Sequence, residues 1–388
     1  MDAMKNRARA FAEGIVVMVC PVLLAITFQK VDFKTKAHRF VWGICPIAAI
    51  TLESCLFPFL FLLASKNLDL VVLFPRLSRW LFGTSKLLIH LCALLQMFLA
   101  FGFLFLINRK NLWYLIYLIP FMALTVWRCY WTVQNDAITD GTLYQECEGV
   151  LERSLDFSSV VTAILFLGLE GLALEGHSNG AKGLEHLLAA ALGSSFMTCV
   201  GGVFIMLLGT VPILIADSGY ERYWLRRFVE KLNVLLGMGI VLTVSLITVA
   251  ALNWLALLAF IPLLVSVMAG VFVILNDDGS GYLPLFVLEQ VKPASMELTK
   301  VTFTGFLAVS VPSFGSKSLS SYSHAFILLT AAAVITGIFW RLLTHITPST
   351  IGMHKAVKRT VNVASVGAHV CIAAAVIPFT VMAFHALK

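Results

Sequence analysis

Charge is what this sequence most lacks. Only 13% of its 388 residues are Asp, Glu, Lys or Arg, about half the share that a soluble globular domain carries. The length would permit two or three soluble domains, yet no polar stretch between the apolar runs is long enough to fold as one. Three catalytic or nucleotide-binding signatures are also missing. There is no His-Glu-x-x-His, no Walker A and no Gly-x-Gly-x-x-Gly, so metalloprotease, ATPase and dinucleotide-binding readings have nothing to rest on. No two cysteines form a Cys-x-x-Cys pair, which leaves no basis for a zinc or redox motif. No asparagine begins an Asn-x-Ser/Thr sequon, so glycosylation gives no orientation. Nor is an internal repeat visible, which weakens the reading of a transporter built from inverted halves. Neither a cofactor nor a metal is called for, and no catalytic constellation argues for an enzyme.

What remains is apolar. Hydrophobic residues make up 59% of the chain, and the mean hydropathy is +0.91. No soluble core could hide that much apolar surface. The fold expected is therefore all-α: a polytopic transmembrane helix bundle of about ten or eleven spans, forming one membrane domain over 1–388. Clear spans are read at 41–64, 87–107, 112–133, 187–215, 325–343 and 361–387, each near or above the ~18 apolar residues that a crossing helix needs. The 234–275 stretch is about twice that length. Asn253 and Trp254 near its middle suit an interfacial turn, so it reads as a hairpin of spans 234–252 and 254–275. Shorter spans at 11–28 and 158–174 carry Glu13 and Glu170 near one end, from which a carboxylate can reach the headgroups. The Ser/Thr-rich segment 301–314, with Pro312, is the weakest span and could be re-entrant or interfacial.

The N-terminus has the basic-then-apolar layout of a signal peptide, but Gln29, Lys30 and Val31 stand where a small-x-small cleavage site would be. An uncleaved first span is expected. Lys and Arg in the flanks and short loops then number about 18 on the side of the N-terminus and about 9 opposite, which predicts a cytoplasmic N-terminus. Lys30, Lys34, Lys36 and Arg39 fall against that bias. The +7 formal charge is spread through these segments rather than gathered on one basic face, so nucleic acid is not an expected partner. The expected partner is the lipid bilayer. Two loops, 68–86 with Arg76, Arg79 and Trp80 and 220–231 with Arg222, Arg226 and Arg227, interleave basic and aromatic residues as a surface for anionic headgroups does. A plain positive-inside flank explains them equally well. The acidic segment 134–156 reads as a solvated loop. Cys147 lies in it, and the other cysteines lie in or beside apolar runs as small buried hydrophobes.

Among residues that could carry chemistry, Glu53 stands out near the centre of its span, between Pro46 and Pro58. A charge at mid-bilayer costs roughly 2.5–3.5 kcal/mol, against about 5 kcal/mol returned by the apolar residues around it. The span inserts regardless, and the carboxyl must be protonated, paired or facing an aqueous cavity. It is either a functional site or a neutral carboxyl hydrogen-bonded between helices. His90 and Gln96 in one span and His369 in the last could join it in a proton relay or polar binding site, or serve only as interhelical hydrogen-bond partners. Arg128 and Arg341 lie near predicted cytoplasmic span ends and are read as snorkelling. Ala190, Ser194, Thr198 and Gly202 recur every four residues as a close-packing face, echoed by Ala333 with Gly337 and Ala364 with Ala368.

Two motifs are set aside. Gly176 to Gly180 matches Gly-x-Ser-x-Gly, but that nucleophile elbow needs a strand before it and a helix after it, and here it joins two spans. Asn276 to Gly281 lacks the spacing and terminal Glu of a calcium loop, and reads as a turn. Over its whole length the chain resembles uncharacterised multi-pass membrane proteins of flowering plants, a resemblance with no diagnostic motif that implies no activity. Two functions are expected from these residues: a transporter or channel-like protein, or a non-transporting membrane scaffold or interaction protein.

Overall fold

The computed structural model describes residues 2–27, 38–67, 75–107, 109–134, 142–175, 185–210, 219–276, 297–313, 320–343 and 351–386. All of its regular elements there are helical. In chain order they are α1 (Asp2–Thr27), α2 (His38–Asn67), α3 (Pro75–Ile107), a 3-10 turn at Arg109–Tyr114, α4 (Leu115–Gln134), α5 (Thr142–Glu175), α6 (Glu185–Thr210), α7 (Gly219–Leu252), a second 3-10 segment (Asn253–Phe260), α8 (Ile261–Asn276), α9 (Glu297–Ser313), α10 (Ser321–Leu343) and α11 (Ile351–Ala386). Among the described residues, seven stretches are long and apolar enough to cross a membrane: Gly83–Ile107, Leu112–Tyr130, Ser154–Ala173, His186–Thr210, Phe228–Asn276, Ser321–Leu343 and His354–His385. Gly43–Pro58 and Val301–Ser310 are shorter apolar helices. The chain is an all-α, multi-pass integral membrane protein. Lipid requires every backbone polar group to be satisfied within its own segment, and a helix does that.

Helix extends into three segments that composition reads as loops. Pro75 opens α3, where its missing N–H is one of the groups a helix start leaves unpaired anyway. Basic and aromatic residues from Gly219 onward continue directly into the apolar part of α7, and α5 begins at Thr142, inside the acidic stretch. Polarity alone does not stop a helix, because Arg, Lys, Glu and Gln are themselves good helix formers. The side chains of Arg76, Arg79, Arg222, Arg226, Arg227 and Cys147 lie outside the described residues, as do the Gly176–Gly180 turn and most of the 276–281 turn.

Two compact units form, comprising Met1–Ser178 with Ser195–Leu236, and Asn179–Ser194 with Gly237–Lys388. The boundary passes through α6 and α7, which each contribute one part to each unit. In the first unit, α1 packs on α2 and α5, while α3 packs on α2, α4 and α5. Its interior is aromatic: Phe103 meets Phe166 edge-on at 5.4 Å, and Phe101 meets Phe196 at 6.2 Å. Here α5 and α6 run antiparallel, with Gly202 facing Thr162 and Gly209 facing Leu155. A Cβ at Gly202 would overlap the Thr162 hydroxyl, so the missing side chain is what lets these two helices approach.

In the second unit, α10 packs on α9 and α11, and α11 on α8. Every residue from Ala331 to Ile338 on α10 is buried. By contrast, Leu264, Met268, Phe272 and Leu275 turn the outer face of α8 outward, while Ser266 and Gly270 face in. Such an apolar exterior belongs in lipid. A Cβ at Gly270 would overlap the Thr360 hydroxyl of α11. The helix of α7 stops at Leu252, and Asn253 takes a left-handed φ of 54°, a conformation that Asn tolerates better than other side chains bearing a Cβ.

Candidate functional site

Most hydroxyls within the spans are spoken for locally. Thr51, Thr125, Thr162, Thr210, Thr248 and Thr360 each donate to the carbonyl four residues earlier, at 2.6–2.9 Å. A Ser- or Thr-rich span therefore does not by itself mark a polar path, because the helix satisfies its own hydroxyls. The side chains that matter are those with more polar atoms than one such bond can use.

In the first unit these gather on α3, α4 and α5. His90, on α3, is 1% exposed, and its Nδ1 lies 2.7 Å from the Lys86 carbonyl. A carbonyl oxygen can only accept, so Nδ1 carries a proton, and in the neutral ring Nε2 is then a lone-pair acceptor. Among the described residues, that buried Nε2 has no hydrogen-bond partner. The Arg128 guanidinium of α4 is in electrostatic range of the ring. Gln96, buried one and a half turns further along α3, donates through Nε2 to the Met18 sulfur of α1 at 3.4 Å, which leaves its buried Oε1 unpartnered.

Three expectations need correction. Glu170 does not reach the headgroups: it is 4% exposed inside the first unit, and its Oε2 has no hydrogen-bond partner. Its place near the end of Ser154–Ala173 suggested an exit, but the inward face of α5 decides. Arg128 and Arg341 do not snorkel either; both are buried, and neither is without a partner. Glu13 is the exception, exposed and paired with Arg9 at 2.7 Å.

Glu53 is outward-facing on α2, with Ile50 and Phe57 outward on either side. Among the described residues it has no hydrogen bond or ion pair, and it turns away from the interior that holds His90 and Gln96. His369 belongs to the second unit. It too is outward-facing, with Nδ1 2.6 Å from the Ser365 carbonyl and its ring 5.9 Å from that of Trp340. Of the four candidates, His90 and Gln96 share an interior, whereas Glu53 and His369 each face outward.

The small-residue face of α6 divides. Ala190 is exposed and Ser194 half-buried, with Ser194 bonded to the Gly239 carbonyl and the Thr243 hydroxyl of α7 in the second unit. Thr198 and Gly202 are buried in the first. Sequence reasoning missed the Ser154–Asn233 bond between α5 and α7 (3.0 Å), although Asn233 just before an apolar run was a visible signal. It also missed the two thiols, Cys55 and Cys92, that lie side by side between α2 and α3. Among the described residues, no group of three or more His, Cys, Asp or Glu is placed to hold a metal ion. No family profile, curated protein or solved structure matches the chain.

Proposed function

We propose that this membrane protein is a proton-coupled transporter or channel-like protein whose polar path runs through the interior of the first unit. The observation that carries this reading is the His90 Nε2: a buried lone pair, unpartnered, inside a helix bundle and near the Arg128 cation. A buried polar atom left without a partner costs about 1–3 kcal/mol, and ionisable groups within membrane spans mark ion and proton paths by default. Because Nδ1 is held by Lys86, a proton can be accepted and released at Nε2 without turning the ring. Gln96 Oε1 and Glu170 Oε2 are further buried acceptors along the same interior.

The test is proton flux into vesicles that contain the purified chain and a pH-sensitive dye. Wild-type protein should collapse an imposed pH gradient faster than empty vesicles, and His90→Gln should lose that excess while keeping the wild-type melting temperature. Equal flux through wild type and His90→Gln, or through wild type and empty vesicles, sinks the proposal. The outward position of Glu53 and His369 favours a second reading, a scaffold that assembles within the membrane. In that reading, His90 and Gln96 only hold helices together.

A further inference from the structure

Glu53 and His369 are complementary groups on outward faces of the same chain: Glu53 has no hydrogen bond or ion pair among the described residues, and His369, beside the Trp340 ring, uses only Nδ1 in its bond to the Ser365 carbonyl. Ile50 and Phe57 flank Glu53, and Val366 and Val370 flank His369, all of them outward-facing. An ionisable side chain facing hydrocarbon is costly to insert, and such residues pair with one another or with backbone carbonyls, or face a water-filled cavity. Snorkelling relieves that cost near a span end, but neither residue is near one.

Depth follows from the helices. His354–His385 is centred beside His369. The Cys92 thiol donates to the Thr51 carbonyl at 3.5 Å, and Cys92 is three residues from the middle of Gly83–Ile107. At 1.5 Å per residue, Glu53 is then within about 8 Å of mid-span, well inside a hydrocarbon half-thickness of about 15 Å. Each group thus lies in the central part of its own span, where a second chain inserted the same way round can bring the one to the other.

Their chemistry also matches. The bond to the Ser365 carbonyl puts a proton on His369 Nδ1, so the neutral ring presents Nε2 as an acceptor. A protonated Glu53 carboxyl is a donor to that nitrogen, and a carboxylate is the counter-ion of the imidazolium. The pair is satisfied in either proton state, because one proton is shared between an acid and a base.

We propose that Glu53 of one copy pairs with His369 of a second copy within the bilayer, making the protein a homo-oligomer. The contact joins unlike surfaces, so it closes with two pairs in a two-fold dimer or continues round a ring. This does not depend on proton transport through the first unit, and its test reads association rather than flux.

Two differently tagged chains, one Glu53→Cys and the other His369→Cys, are expressed in one membrane and oxidised. A disulfide-linked species carrying both tags should exceed that from either variant paired with wild type, controls that measure background from the native cysteines. Separately, photobleaching of labelled chains in vesicles reads the association constant. Glu53→Leu and His369→Leu, changes that an outward lipid-facing site accommodates, should each weaken association about 3- to 20-fold per pair, and the double variant should be no weaker than either alone. Exchanging the pair, Glu53→His with His369→Glu, should restore association that either single exchange loses. A monomeric wild type overturns the proposal. So does a doubly tagged disulfide species no more abundant than in the wild-type-paired controls, or an exchanged pair that fails to recover.

Discussion

Replacing Gly202 with Leu tests the closest helix approach in the first unit. The new side chain would enter the space of the Thr162 hydroxyl, and the Cβ alone would come to 3.6 Å from a Leu236 methyl. Thr162 cannot easily yield. It is fully buried, its χ1 is stiff because Cβ is branched, and its hydroxyl is tied to the Ser158 carbonyl at 2.6 Å. Overpacking of this kind costs about 1–3 kcal/mol, and breaking the Thr162 bond adds about 0.5–1.5 kcal/mol. The sum, about 2–4 kcal/mol, corresponds to an apparent melting temperature lower by roughly 5–15 °C for a unit of this size.

The control is one residue away. Gly201, on the same helix, has nothing within 4 Å of an added Cβ, so Gly201→Leu should melt within about 2 °C of wild type, helped by the roughly 1 kcal/mol that a helix gains on losing a glycine. Both variants change the same residue type in consecutive positions, so propensity and hydrophobicity cancel and only direction differs. Thermal unfolding in detergent, followed by tryptophan fluorescence, reads the difference. Equal losses for the two variants would refute the argument, since the α5–α6 contact could then not be what Gly202 protects.

Gly270→Ala should destabilise the second unit, and Thr360→Ala should relieve most of that loss, because the added Cβ meets the Thr360 hydroxyl; a thermal double-mutant cycle in which the two effects simply add would count against it. At Asn253, where φ is 54°, Asn253→Gly should be tolerated and Asn253→Ala should cost about 1–2 kcal/mol, with similar melting temperatures for the two variants as the contrary result. A protease site at the N-terminus should be cleaved in sealed vesicles whose cytoplasmic face points outward, as the Lys and Arg bias predicts, and protection there would overturn the expected orientation.

The sequence carried fold class well. Long apolar runs give helices because lipid offers no other way to satisfy a backbone, and the helix end at Leu252 was legible in the Asn253-Trp254 pair inside the long apolar stretch 234–275. Helix starts were less legible. Pro75, Thr142 and Gly219 open helices inside polar segments, where composition marks the membrane boundary and not the end of the helix. Gly202 was legible for a different reason, since glycine at four-residue spacing has a use only where a neighbour comes close.

Direction around the helix axis was the part that could not be read. A soluble helix announces its buried face by alternating apolar and polar residues, but in a bilayer both faces are apolar and the signal vanishes. Glu53 and Glu170 show the consequence. The one near mid-span was the stronger candidate for an interior site, yet it faces out, while the one near a span end is buried. Depth along the axis follows from counting residues, whereas facing depends on which neighbour the helix meets. In both carboxylates the informative quantity is the partner available at that depth: for Glu170, an interior in which Oε2 has no hydrogen-bond partner among the described residues; for Glu53, an outward surface that a second copy can reach. An intramembrane acid with no partner among the described residues thus points outward to assembly as readily as inward to transport. Removing Glu53 should accordingly alter association before it alters flux, and removing His90 should do the reverse.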